Sequence, residues 1–192
     1  DAEQSSENDH QAVTDHAESL GETRLCYTDE SPAYDTLVCR LYRGDIRIPA
    51  DPRFQSLFRL ASFAIFGQDR SARVCGSDGE LCRSTAQSLW RDNQRITEAW
   101  HDSSPDCQFT TFHAYEYTLA ESASNLHRNV IFGTSTVPQA PLSAKDAPQP
   151  EELLKWLDTV CVSGNGNCDV IAIPHNSNWS SGRMWFPYSN RD

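Results

Sequence analysis

Residues 109–118 read FTTFHAYEYT, and the reading of this stretch decides the fold. A strand here turns Tyr115 and Tyr117 to one face and Glu116 to the other, because successive side chains of an extended chain alternate. If the Glu116 face is buried, the ionised carboxylate needs a cation or a strong donor, since an uncompensated charge out of water is prohibitively costly. A salt bridge to Arg128 or Arg183 is the ordinary solution. A metal ion is the other.

Working outward, residues 11–14, 129–132 and 169–173 also have strand character. Helical spacing lies between them. Over 51–66, Asp51 can cap, Pro52 suits the first turn, and Phe54, Leu57, Phe58, Ala61 and Ile65 recur at three- and four-residue steps. A second helix is expected from Ser84 to about His101, with Ser84 and Gln87 at capping-box spacing and Leu89, Trp90, Ile96 and Trp100 inward. A third runs over 151–162, where Leu153, Leu154, Trp156, Leu157 and Val160 make an apolar face. The proline-rich stretch 138–150 reads as a surface connection. Strands alternating with helices predict an α/β domain, in which ligands gather at the carboxyl ends of strands.

The 192 residues suit one domain, and 38 % hydrophobic residues with five Trp, six Tyr and eight Phe can fill a core. The net charge of −11 would repel a nucleic-acid backbone or an anionic membrane, so neither is expected as a partner. Most of that charge sits in the first thirty residues, which hold nine acids and only Arg24 as a base. No apolar run is long enough to span a bilayer, and the polar start has no secretion signal, so either a leader was removed or the chain begins inside a longer protein.

Seven cysteines include no C-x-x-C pair, which argues against a zinc knuckle. Cys75 and Cys82 bracket one short polar loop and Cys161 and Cys168 another, so these two disulfides are expected, with Cys26–Cys39 as a weaker third and Cys107 left over. Such bridges place the protein in an oxidising compartment, periplasmic or secreted.

Histidines carry the chemistry. His16, His113, His127 and His175 all fall at or just beyond the expected strands, and imidazoles with the Glu116 carboxylate suit a borderline divalent metal such as zinc, manganese or iron. Taken singly, each histidine reads as a packed or hydrogen-bonded residue. Asp15 could orient the His16 ring, serve as a ligand itself, or cap the following helix. Arg128, Asn129, Asn176 and Arg183 flank the candidate ligands and would suit an anionic substrate oxygen. No G-x-S-x-G elbow, P-loop or G-x-G-x-x-G is present, and Asn178-Trp179-Ser180 fits a glycosylation sequon, a three-residue match that is common by chance.

Four blocks, AVTDHAESLG (12–21), FTTFHAYEYT (109–118), NLHRNVIF (125–132) and IPHNSNWSSGRM (173–184), closely resemble successive signatures of a bacterial PHP-like (polymerase and histidinol phosphatase) family of metal-dependent hydrolases, domain of unknown function 3604. The resemblance runs from about His10 to Met184, loosely between the first two blocks. It implies a distorted, TIM-like α/β barrel holding up to three metal ions, and hydrolysis of phosphate esters by metal-activated water. Carried onto this sequence, it implies that His16 serves one metal, Glu116 bridges two, and His127 and His175 complete the site on one of them. Arg128 would approach the substrate anion. His113 stands where relatives more often carry a small or aliphatic residue and is not among the implied ligands.

Relatives also begin with an H-x-H strand and end with an Asp/His block, and neither is in this sequence. The expectation is therefore a single partial barrel over 1–192, incomplete at both ends, with a helical insertion at about 20–105, from a fragment or a degraded homologue. The expected activity is hydrolysis of a small anionic ester, phosphate first and sulfate as another possibility, and this chain itself could be inactive. The competing expectation is a non-catalytic, disulfide-stabilised binding module.

Overall fold

A computed structural model describes residues 9–46, 70–121, 124–164 and 167–185, and the helix expected over 51–66 lies outside the described residues. Strands β1 (Asp9–Ala12), β2 (Phe109–Glu121), β3 (Ser124–Phe132) and β4 (Val170–His175) form one open sheet in that order. β1 runs parallel to β2, whereas β2–β3 and β3–β4 are antiparallel. The architecture is mixed α/β, and no barrel is seen among the described residues, which corrects the expectation of a TIM-like barrel. The physical reason is connectivity: a TIM-like barrel closes through parallel strands joined by helical crossovers, whereas β2 to β4 turn back on one another.

Helices α1 (Leu20–Tyr27), α2 (Leu37–Arg43), α3 (Ala72–Cys75) and α4 (Glu80–Trp100) lie between β1 and β2 in the chain. α5 (Pro150–Leu157) precedes β4 and continues into a single wider turn over Asp158–Val162. α5 starts as its sequence dictates: Pro150 occupies the first turn, and Gln149 and Glu152 close a reciprocal capping box. α4 begins four residues before Ser84, the expected cap, because Gly79 takes a left-handed φ of 73° and the Asp78 carboxylate accepts the Glu80 N–H at 3.1 Å. Ser84 lies inside the helix, its hydroxyl donating to the Glu80 carbonyl.

The alternation of β3 is strict, every second residue from Ser124 being buried. Leu126, Val130 and Phe132 join Tyr115, Tyr117 and Leu119 of β2 in the main core, against Trp90 of α4 and Leu153 and Leu157 of α5. Trp90 meets Tyr115 edge-on at 5.8 Å and donates its indole N–H to the Pro138 carbonyl at 2.7 Å. The inward stripe of α4 is Cys82, Ala86 and Trp90, so Ile96 and Trp100, expected to face inward, are exposed instead. A step of four from Cys82 rotates the contact line away from both. The connection expected over 138–150 lacks regular structure up to residue 149, after which α5 begins, and is not merely superficial, since Ser143, Ala144 and Ala147 are buried.

A second, smaller core contains Leu25, Ala33 and Val74 with the Cys26–Cys39 and Cys75–Cys82 disulfides. The third disulfide, Cys161–Cys168, joins the turn after α5 to the approach of β4, and Cys107 is a free thiol. No helix among the described residues is long and apolar enough to cross a membrane. Three disulfides are consistent with an oxidising compartment outside the cytoplasm.

Candidate functional site

The sheet face opposite the main core carries the candidate ligands, and strand pairing sets them side by side. Glu116 and Thr118 project from β2 on the face that Tyr115 and Tyr117 avoid. Across β3, Thr118 is paired with His127, and His127 in turn with His175 of β4. On the other side His16 forms an isolated parallel bridge with Glu116, and the Glu116 N–H donates to the Asp15 carbonyl at 2.9 Å. Residues distant in sequence thus occupy one lateral row of the sheet.

Glu116 is the hub. Its Oε1 lies 2.5 Å from His127 Nδ1, 3.5 Å from His175 Nε2 and 3.7 Å from His16 Nδ1. The Thr118 hydroxyl donates to the same oxygen at 3.0 Å. Burial pushes the Glu116 carboxyl upward, but the hydrogen bond with His127, the positive character of His16 and the Thr118 hydroxyl outweigh it and hold the group below its ordinary value. Glu116 is therefore an ionised carboxylate that is only 7 % exposed and ringed by imidazoles.

This donor chemistry fits a borderline divalent cation. Ligand atoms of His16, Glu116 and His127 all lie within 4.8 Å of one another. His175 Nε2 is buried and makes no hydrogen bond, so a basic nitrogen is aimed at the carboxylate without a proton partner of its own. Asn129, the cross-strand partner of Glu116, likewise presents a buried Oδ1 with no hydrogen bond.

The other expected site residues stand apart. Arg128 is 2 % exposed and falls on the core side of β3 opposite Tyr117, so the pleat separates its side chain from the imidazole row. Arg183 reaches the Ser124 hydroxyl at the start of β3, at 3.2 Å. Asp15 is exposed and contributes its backbone carbonyl, while His16 itself precedes the short helical turn Ala17–Ser19 that Asp15 could have capped. Asn176 is exposed in a left-handed conformation after β4. His113 lies on the Tyr115 face and pairs with Glu98 of α4 at 2.9 Å.

Sequence reading missed two residues. Thr118 sits two positions after Glu116, a spacing that places it on the same strand face, and that signal was available. Glu18 had none. Its Oε1 accepts the N–H groups of Thr118 at 2.8 Å and Ala144 at 3.1 Å, and burial pushes its carboxyl up to about 7. Nothing in the acidic stretch around it distinguishes this buried acid from its solvated neighbours.

A family model described as "Protein of unknown function (DUF3604)" matches residues 5–192. No curated protein matches the chain, and no solved structure does.

Proposed function

The chain belongs to the DUF3604 family, and from that premise we propose that it is a metal-dependent hydrolase of the PHP type, acting on small anionic esters, with phosphate esters the leading class and sulfate esters the next. One observation carries the proposal: three imidazoles from three separate segments surround a single buried carboxylate oxygen, at 2.5, 3.5 and 3.7 Å. A salt bridge needs one partner, not three, and imidazole nitrogens grouped with a carboxylate are good ligands for a borderline divalent ion.

His16, Glu116, His127 and His175 would hold zinc, manganese or iron. When bound, such an ion supplies Lewis acidity toward an ester oxygen and makes hydroxide available near neutral pH. The residues of the chain do the positioning. Glu116 brings negative charge to the centre of the row, and strand pairing fixes His127 and His175 at its side without loop entropy. Asn129 offers an amide beside Glu116 that can orient a polar ligand atom. Neither arginine faces the imidazole row: Arg128 projects into the core, and Arg183 reaches Ser124, which lies on the same buried face of β3. With three disulfides, a periplasmic or secreted location suits the protein.

Metal analysis of the purified protein tests the proposal. Stoichiometric zinc, manganese or iron that disappears in Glu116→Ala and His175→Ala variants supports it, and a panel of phosphate and sulfate esters with added metal then identifies the substrate class. Protein that stays metal-free under those conditions, with its fold intact, refutes it and favours a non-catalytic binding module.

A further inference from the structure

We infer that Thr118 is the positioning residue of this site, its single hydroxyl tying Glu116, His16 and His127 into one arrangement before any cation arrives. The inference rests on the metal-site reading above and deepens it. Thr118 Oγ1 lies 3.0 Å from Glu116 Oε1, 2.9 Å from His16 Nδ1 and 2.9 Å from His127 Nδ1. Among the described residues no other side chain touches all three.

Counting protons assigns each contact. A hydroxyl has one hydrogen to give and two lone pairs to receive with, and an ionised carboxylate can only accept. The hydroxyl hydrogen therefore goes to Glu116, which leaves the two lone pairs for the rings. Each imidazole must then donate from Nδ1, which sets its tautomer and leaves its ring lone pair on Nε2. A second contact agrees: His127 Nδ1 also lies against Glu116 Oε1, and it can approach an ionised oxygen so closely only as a donor.

The hydroxyl is itself held from two sides. Thr118 lies within β2, paired across to His127, and its backbone N–H donates to the buried Glu18 carboxylate at 2.8 Å. Its β-branched side chain has few rotamers in a strand. An ordinary strand residue at this position would need the branching but not the oxygen. Valine keeps the first and removes the second, so the hydroxyl can be tested by itself.

Partners that orient ligands in this way typically contribute about 10- to 100-fold in metal affinity. The test uses the full chain with Thr118→Val and Thr118→Ser, titrated calorimetrically with zinc and with manganese, alongside nitrogen-15 imidazole spectra of the chelator-treated proteins and thermal melts. The expected result for Thr118→Val is a loss of affinity in that range at an unchanged melting temperature, with the His16 ring nitrogens shifted toward a mixed tautomer while His127 keeps the one its contact with Glu116 fixes. Thr118→Ser should retain wild-type affinity and spectra. If Val disturbs the strand, Thr118→Ala against Thr118→Ser reads the same oxygen. Wild-type affinity together with wild-type ring spectra in the hydroxyl-free variant overturns the inference. If the wild-type protein binds neither ion, the metal reading fails and the chelated-state spectra alone decide Thr118: altered tautomers sustain its role, unaltered ones end it.

Discussion

His16 stands directly across from Glu116 in a lone parallel bridge, and its register continues the one that pairs Asp9 with Phe109 and Ala12 with Phe112. The chain leaves β1 after Ala12 yet returns in step. His16 is thus placed by backbone pairing with β2, as His127 and His175 are placed by pairing through β3. Four candidate ligands on four neighbouring segments share one rigid sheet, the kind of support that holds a site to sub-ångström tolerance.

Glu116→Gln should separate binding from folding. The amide keeps the size of the side chain but removes the charge that faces the three imidazoles. Metal affinity is expected to fall by at least about 100-fold, more than for a residue that only orients a ligand. Stability should fall modestly, because the contacts with His127, His16 and Thr118 outweigh the desolvation of the ionised carboxylate, so the charge that glutamine removes favours the folded state. Calorimetric titration with zinc and a urea melt check the two halves. Retained affinity would show that Glu116 is not a ligand.

Gly21→Ala probes the seat of α1 on α4. A Cβ at Gly21 would come 2.1 Å from the Cys82 backbone carbonyl oxygen, which cannot swing aside as a side chain could. Alanine improves helix propensity by about 1 kcal/mol, but overpacking of this kind costs about 1–3 kcal/mol, so the variant should melt lower. A melting temperature equal to or above that of the wild type would mean that the two helices do not meet this closely.

The local chemistry that places the site was largely readable. The alternation around Glu116 separates it from Tyr115 and Tyr117, and the short loops bracketed by Cys75–Cys82 and Cys161–Cys168 point to two of the three disulfides, Cys26–Cys39 being the weaker expectation that the structure also shows. What sequence could not supply was the pairing of strands. Periodicity marks a strand but not its partner, so it cannot distinguish an open mixed sheet from part of a barrel. The same gap explains Arg128: its neighbours in sequence are candidate ligands, but one step along β3 crosses to the other face. Ile96 and Trp100 fit a helical stripe, and only the angle at which α4 meets the sheet shows that the stripe runs past its contact.

Glu18 should make the metal-free protein less stable as pH rises. Its folded-state value is raised from 4.5 to about 7, chiefly by burial, against the two N–H groups that favour its charged form. Below 4.5 both folded and unfolded chains carry the proton and the full stability is present. Between 4.5 and about 7 the unfolded chain releases the proton while the folded chain retains it, so stability is lost progressively, and the loss is complete above that window. The total is on the order of 3 kcal/mol at most. Urea denaturation of the chelated protein from pH 4.5 to 8 should show this slope, and Glu18→Gln should flatten it. A slope unchanged by that substitution would assign the pH dependence elsewhere.

Reduction should open the α1–α3 region before the sheet. Among the described residues its core consists of Leu25, Ala33 and Val74 with Val38, Tyr42 and Leu81 packed against them, so the Cys26–Cys39 and Cys75–Cys82 bridges add to the packing of a small cluster. The Cys161–Cys168 pair instead lies against the main core with Trp90, Phe132 and Leu157. Each bridge is expected to contribute about 2–4 kcal/mol, and among the described residues the first two sit in the smaller core. In reducing buffer, hydrogen exchange should accelerate first over Leu20–Tyr27 and Leu37–Arg43, while β2 to β4 stay protected. His16 is joined to α1 by only a three-residue turn, so its hold on the site should loosen with that region and metal affinity should fall before the sheet unfolds. Simultaneous loss of protection in helices and sheet would show instead that the two cores unfold as one cooperative unit.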